Sequence, residues 1–200
     1  MNTKYKFTGE IKVEFGVTLN RIEALISFGD VSKGEKGGWI EKENNLDTSG
    51  NAWVYGNAWV YGNAWVYGNA QVYGDAQVYG DAQVSGDARV YGNAQVYGDA
   101  QVSGDARVSG DARVSGDAWV YGNAQVYGDA RVYGKLKLEA GFFFGVKWSS
   151  DTEIKQIEIS DGNYLIYKGN AKFGSDELEV TEMTVAEISK ALGKTIKIVE

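Results

Sequence analysis

The side chains that recur at spacings fit for chemistry are aspartates, arginines and tryptophans, and they recur in multiples of six. Asp81, Asp99 and Asp117 lie eighteen apart, as do Arg89 and Arg107, and Arg113 and Arg131. The chain has 0 His and 0 Cys. Imidazole bases, thiolate nucleophiles and the usual zinc, copper and nickel ligands are therefore excluded. Any enzyme built on this chain would need a carboxylate base, and no Asp differs in context from its repeats. The sequence assigns no catalytic residue, no cofactor and no metal site, and the expectation is a protein that is not an enzyme. A column of carboxylates could hold calcium, but the nonapeptide calcium repeat G-G-x-G-x-D-x-U-x is absent. The aspartates follow glycines, and there a carboxylate is expected to accept hydrogen bonds from turn amides, as Asn does in the earlier units.

The aromatic and guanidinium groups suggest binding. Trp53, Trp59 and Trp65 sit six apart in one stretch, and Trp119 returns later. Trp, Tyr and Arg are the residues that dominate binding hot spots. The candidate interaction surface is Trp53, Trp59, Trp65, Trp119, Tyr61, Tyr67, Arg89, Arg107, Arg113 and Arg131. Two other uses of these side chains stand beside it. The early tryptophans could pack under the N-terminal residues, or an aromatic ring could stack a nucleobase while Arg89 and Arg107 pair with a phosphate.

Whatever they do, these residues are carried by a hexad. From Gly50 to Gly134 the chain reads G-[N/D]-A-x-V-[Y/S] without a break, as in GNAWVY at 50–55 and GDARVS at 104–109. A fixed short period signals a repeat architecture. Side chains alternate across a strand, so Ala58 and Val60 share the inner face and Trp59 points out. Tyr61-Gly62-Asn63 must then turn the chain, because Ala64 and Val66 need the same interior. Gly followed by Asn or Asp tolerates the positive φ that such a turn requires. Three edges close a triangular coil of eighteen residues, and coils stack as parallel strands about 4.8 Å apart. The outward rows that result are Trp53, Gln71, Arg89, Arg107, Gln125 on a first face, Trp59, Gln77, Gln95, Arg113, Arg131 on a second, and Trp65, Gln83, Gln101, Trp119 on a third. Tyr55, Tyr73, Tyr91 and Tyr61, Tyr79, Tyr97 form further rows.

With Val54 and Ala58, Val60 and Ala64, and so on through Val126 and Ala130, this region resembles the hexapeptide-repeat family. That resemblance implies a mainly β, left-handed parallel β-helix. The family's acyltransferases and γ-type carbonic anhydrases work through histidines, which have no counterparts here. The stretch FGDVSKGEKGGWIEKENNL at 28–46 resembles the leader preceding such repeats in uncharacterised phage and prophage proteins. MTVAEISKALGKTIKIV at the end resembles a C-terminal module of phage-encoded proteins.

The flanks divide the chain into an N-terminal β capping module at 1–49, the β-helix at 50–134, and a degenerate last coil with a small α+β module at 135–200. Strands are expected at Lys4–Thr8, Glu10–Phe15 and Val17–Phe28, with Ile22, Ala24, Ile26 and Phe28 as one buried face. Gly34 to Gly38 read as a plain loop that lacks phosphate-cradle spacing. Trp39-Ile40 and Leu46 suggest a degenerate first edge. Leu136 and Leu138, then Phe142 and Phe144, take the Ala and Val places. A hairpin follows around Asp161-Gly162, a strand at Leu178–Val180, a helix capped by Thr184 to Glu187, and a last strand at Lys194–Val199.

The formal charge is −7, and no segment is a polybasic footprint, so general binding to nucleic-acid backbone is not expected. No apolar run spans a membrane and no leader pattern precedes the N-terminal strands, so a soluble protein, cytoplasmic in a bacterial host, is expected. The expected function is a non-enzymatic, phage-encoded binding protein that presents flat β-helix faces to a host protein, as an inhibitor of bacterial defence. It would assemble with itself, as a trimer by the family's habit. The alternatives are a nucleotide or small-molecule sponge, a polymer-forming structural protein, and an acidic mimic of DNA.

Overall fold

Each hexad forms one short rung, such as Gln77–Val78 or Arg107–Val108. In the computed structural model, which describes residues 2–145 and the strand segments 157–159 and 163–165, these rungs build a parallel β-solenoid. Arg89 pairs with Gln71 on one side and Arg107 on the other, which sets a coil of eighteen residues. Ala and Val of every hexad from Ala52 to Val126 are 0 % exposed. Burying each Val is worth about 1.5–3 kcal/mol, so the core is a column of small contributions repeated at every edge.

The coils are tied first by the backbone. In the hexad Ala76–Asp81, Gln77 N donates to Ala94 O at 2.9 Å, Tyr79 N to Val96 O at 3.0 Å and Asp81 N to Gly98 O at 2.9 Å. The corner needs glycine for two separate reasons. Gly110 has φ +67°, and a Cβ there would lie 2.9 Å from Gly128 N in the coil beyond. Positive φ strains other residues, and the stacked corners leave no room for a side chain.

Together with the flanking strands the rungs form two sheets of 8 strands and one of 5, one sheet per face. The second face continues at its N-terminal end into strand β3 (Lys36–Ile40) and the antiparallel hairpin of β1 (Tyr5–Glu14) and β2 (Val17–Ala24). β3 joins the solenoid in parallel, Trp39 beside Trp59 and Ile40 beside Val60. Leu46 then bridges to Val66. The degenerate first edge expected at Trp39–Leu46 is therefore present, with a step of twenty residues in place of eighteen. A 3-10 turn at Glu43–Asn45 separates the two contacts, and the Asn45 side chain donates to Gly62 O and Ala64 O at 3.1 and 2.8 Å.

Four local expectations are corrected. The first two N-terminal strands merge into β1, with an irregularity between Phe7 and Ile11 where Gly9 has φ +89°. β2 stops at Ala24, and Ile26 is 48 % exposed; the chain turns away so that Phe28 can meet Trp53. Gly37 and Gly38 lie in a strand and not in a loop. A Cβ on Gly37 would stand 2.6 Å from Ile22 Cγ1 and 2.7 Å from Trp53 Cζ2, so glycine is what lets β3 press against the core. At the far end Leu138 is buried beside Val120 as expected, but Phe143, and not Phe142 or Phe144, stands beside Val126. The corner between Leu138 and Phe142 is one residue shorter than in the array. A one-residue slip exchanges the two faces of a strand, and Phe142 and Phe144 are left 42 % and 49 % exposed.

Strand Phe142–Gly145 pairs antiparallel with Ile157–Ile159, which pairs with Asn163–Leu165 as a hairpin. This agrees with the expected hairpin, whose turn at Asp161-Gly162 lies outside the described residues, as do the expected strands at Leu178–Val180 and Lys194–Val199 and the helix beginning at Thr184. Among the described residues no helix is long and apolar enough to cross a membrane.

Candidate functional site

The three tryptophans of the first coil point out of the solenoid and meet three different fates. Trp53 is 0 % exposed, so it leaves the candidate surface. Its ring packs edge-on against Tyr5 at 6.1 Å and Phe28 at 5.4 Å, and its indole N–H finds no acceptor among the described residues. The N-terminal module covers it. Trp59 is half-buried: Lys12 Nζ stands 3.8 Å from its ring centre and Phe15 6.3 Å away. Lys12 also faces the Trp39 ring at 4.6 Å, an arrangement in which the ammonium is attracted to the π faces. Trp65 is 41 % exposed and stacks on Tyr67 at 4.0 Å.

The cap is fastened by two buried polar groups that sequence reasoning passed over. Lys4 is 2 % exposed, and its ammonium donates to Asp47 O, Ser49 O and Ala52 O at 3.0, 3.3 and 2.8 Å. Burial pulls its pKa down to about 8, with the Asp47 carboxylate opposing. The Tyr5 hydroxyl donates toward the carbonyls of Glu43 and Leu46, and burial, then the Glu43 charge, push its pKa up. Beyond them alternate residues toward the hairpin tip are apolar and open: Ile11 is 63 %, Val13 64 % and Phe15 83 % exposed.

On the first and second faces tyrosines stack in register. Tyr73 and Tyr91 lie 4.9 Å apart, Tyr61 and Tyr79 4.9 Å, and Tyr79 and Tyr97 5.0 Å, all nearly parallel. Half-burial in these stacks, then the neighbouring tyrosine, raise the pKa values of Tyr61, Tyr73 and Tyr79. Arg89 and Arg107 are neighbours on the first face, Arg113 and Arg131 on the second, and all four are exposed. Among the described residues the ion pairs are Lys6 with Glu23 and Lys36 with Glu10, so these arginines make none.

The third face differs. Trp65 and Tyr67 stack at one end, Trp119 and Tyr121 pair at 4.5 Å three coils on, and Gln83, Ser85, Gln101 and Ser103 fill the two levels between. Trp119 Nε1 donates to Ser103 Oγ at 3.1 Å. The signal was present in the sequence: the hexads ending in Ser at 85 and 103 fall, in the eighteen-residue register, between the two that carry Trp and Tyr.

The corner carboxylates behave otherwise than expected. The backbone N–H two residues on from Asp81, that of Gln83, goes to Ala100 O in the coil beyond, so it is not given to the Asp side chain. Three of the carboxylates accept instead from carboxamides in the preceding coil, Asn63 to Asp81 and Asn69 to Asp87 at 3.0 Å and Asn93 to Asp111 at 2.9 Å. Among the described residues no acidic cluster is arranged to hold a metal ion. Arg89 opens into a shallow recess of about 260 Å³ with Asp30, Asn51, Asn69, Gln71 and Asp87. Two carboxylates there oppose the phosphate that a nucleotide would bring.

Taken together, the chain is a capped parallel β-solenoid whose sheet faces are covered by side-chain ladders. Residues 52–68, 60–74, 82–98, 94–109, 100–114, 106–122 and 124–135 match a family model described as the YdcK beta solenoid repeat. The array is thus similar to a known solenoid repeat over most of its length. No curated protein matches the chain.

Proposed function

We propose that this chain is a non-enzymatic binding protein that docks a protein partner at its N-terminal end. The observation that carries this reading is the open apolar row Ile11, Val13 and Phe15, up to 83 % exposed, leading to the half-buried Trp59. Exposed apolar side chains in a contiguous row mark interaction surfaces, and the solenoid beneath holds them on a rigid frame. In this reading the array is a left-handed hexapeptide solenoid of the phage-borne type, which the six-residue period and the 28–46 leader support. The partner is then a protein of the bacterial host, with a defence component as the first candidate. Self-assembly through the flat faces is part of the same proposal.

The test is capture from nuclease-treated bacterial lysate by the tagged chain and by Phe15→Ser and Trp59→Ala. One host protein retained in stoichiometric amount, and lost from both variants at unchanged unfolding temperature, supports the reading. Equal retention by both variants, or no retained protein, overturns it.

A further inference from the structure

The third face carries a feature that protein docking at the N-terminal end does not use. On the first and second faces tyrosine stacks cover the coils of Tyr73 and Tyr91 and of Tyr79 and Tyr97, before Ser109 and Ser115 interrupt them. On the third face the same levels hold Ser85 and Ser103, so the surface drops between two aromatic walls, Trp65–Tyr67 and Trp119–Tyr121. The rungs that carry the walls stand three coil steps apart, about 14 Å at the usual strand spacing, and the rings lean inward, Trp119 Nε1 to Ser103 Oγ at 3.1 Å and the Tyr67 hydroxyl toward Gln83 Oε1 at 3.5 Å. We propose that this trough binds an extended, uncharged oligosaccharide laid along the solenoid axis.

The chemistry of the trough selects that ligand. Sugar rings present apolar C–H faces and equatorial hydroxyls, and Trp and Tyr offer apolar area with a polar edge. The floor offers amide and hydroxyl groups from Gln83, Gln101, Ser85 and Ser103, which both donate and accept, as polyols require. No floor or wall residue is itself charged; Lys137 and Glu139 lie beyond the Trp119–Tyr121 wall, Lys137 Nζ 5.4 Å from the Trp119 ring centre, and Asp81 and Asp99 stand exposed at the corner beside the floor. Those carboxylates accept from hydroxyls and repel anionic sugars and nucleic acid. A peptide strand has no edge to join here, because Gln83 N and Ser85 N already donate to Ala100 O and Val102 O at 2.9 Å. Ladder spacing and pyranose length are also similar, so successive rings can sit over successive coils.

The experiment is a titration of the full chain with cellohexaose and with maltohexaose, followed by the indole N–H resonances of Trp65 and Trp119, with glucose and a hexamer of galacturonic acid as controls. The expected result is saturable shifts of both indoles with at least one neutral hexaose, and none with glucose or the acidic hexamer. Trp65→Ala and Trp119→Ala should each weaken binding at least ten-fold. Ser85→Tyr with Ser103→Tyr should abolish it while keeping or raising the unfolding temperature, because the pair completes a tyrosine ladder like those on the other faces. Absence of shifts with both neutral hexaoses overturns the proposal, and so does binding that survives the double tyrosine variant. Self-association of the chain that disappears in that variant would assign the trough to a second copy and also overturn it. Capture at Phe15 and Trp59 is independent of all these results.

Discussion

A single glycine shows how tightly the hexad constrains its corner. Gly86 has φ +66°, and a Cβ there would lie 2.8 Å from Gly104 N, a backbone atom that other coils hold in place. Alanine would pay both for the left-handed conformation and for the contact. Gly86→Ala should lower the stability of the chain by about 1–3 kcal/mol, read as a lower midpoint in urea unfolding with native β-sheet circular dichroism retained. Gly56 separates the two costs, because φ there is +57° and nothing lies within 4 Å of the added Cβ. Gly56→Ala should cost less than Gly86→Ala. Equal losses would mean that the stacked corner adds nothing to the conformational strain.

The N-terminal cap is an element held on by Lys4, and it gives a pH dependence with a definite sign. Lys4 titrates at about 8 in the folded chain against an ordinary 10.5. Between those values the unfolded chain binds more protons, so stability should rise as pH increases from about 8. Tyr61, Tyr73 and Tyr79, held above their ordinary 10.0, act the other way at higher pH. A rise in unfolding midpoint between about pH 8 and 10, smaller in Lys4→Met, where Lys12 with its pKa lowered by burial still contributes, is the expected result; the same slope in the variant would remove Lys4 as its cause. No pattern in the sequence exposed this lysine. The rungs were legible because Ala and Val repeat with the period of the coil, and the first edge at Ile40 and Leu46 was legible for the same reason. The cap was not, because its contacts join residues forty or more apart, Lys4 with Ala52 and Tyr5 with Leu46. Trp53 illustrates the gap: the register rightly turned it outward, yet only the packing of Tyr5 and Phe28 shows that outward is still inside. Phe142 illustrates another, since one missing corner residue reverses its face without disturbing the apolar pattern.

For the whole molecule, the repeat makes length and alignment separable. Each coil contacts only its neighbours, so stability is close to a sum over coils and their interfaces. Removing residues 86–103 deletes one coil and rejoins Ser85 to Gly104 between two intact hexads. Every later rung keeps its face, and Trp119 stays on the face of Trp65, one coil nearer. Removing residues 86–91 deletes one edge only. The hexads remain continuous and the core still receives Ala and Val, but everything after the junction turns by a third of a coil relative to the cap. Trp119 then falls on the face of Trp59, and Arg113 joins the row of Trp53 and Gln71. Both deletions should fold, with β-sheet circular dichroism and cooperative melting, because neither breaks the alternation that fills the core. Their surfaces should part company: the whole-coil deletion shortens the aromatic trough and should shift binding toward shorter neutral sugars, whereas the single-edge deletion should abolish it. If the single-edge variant fails to fold while the whole-coil variant folds, the faces are not interchangeable, and contacts between unlike ladders, not the Ala–Val core, decide how the coils stack.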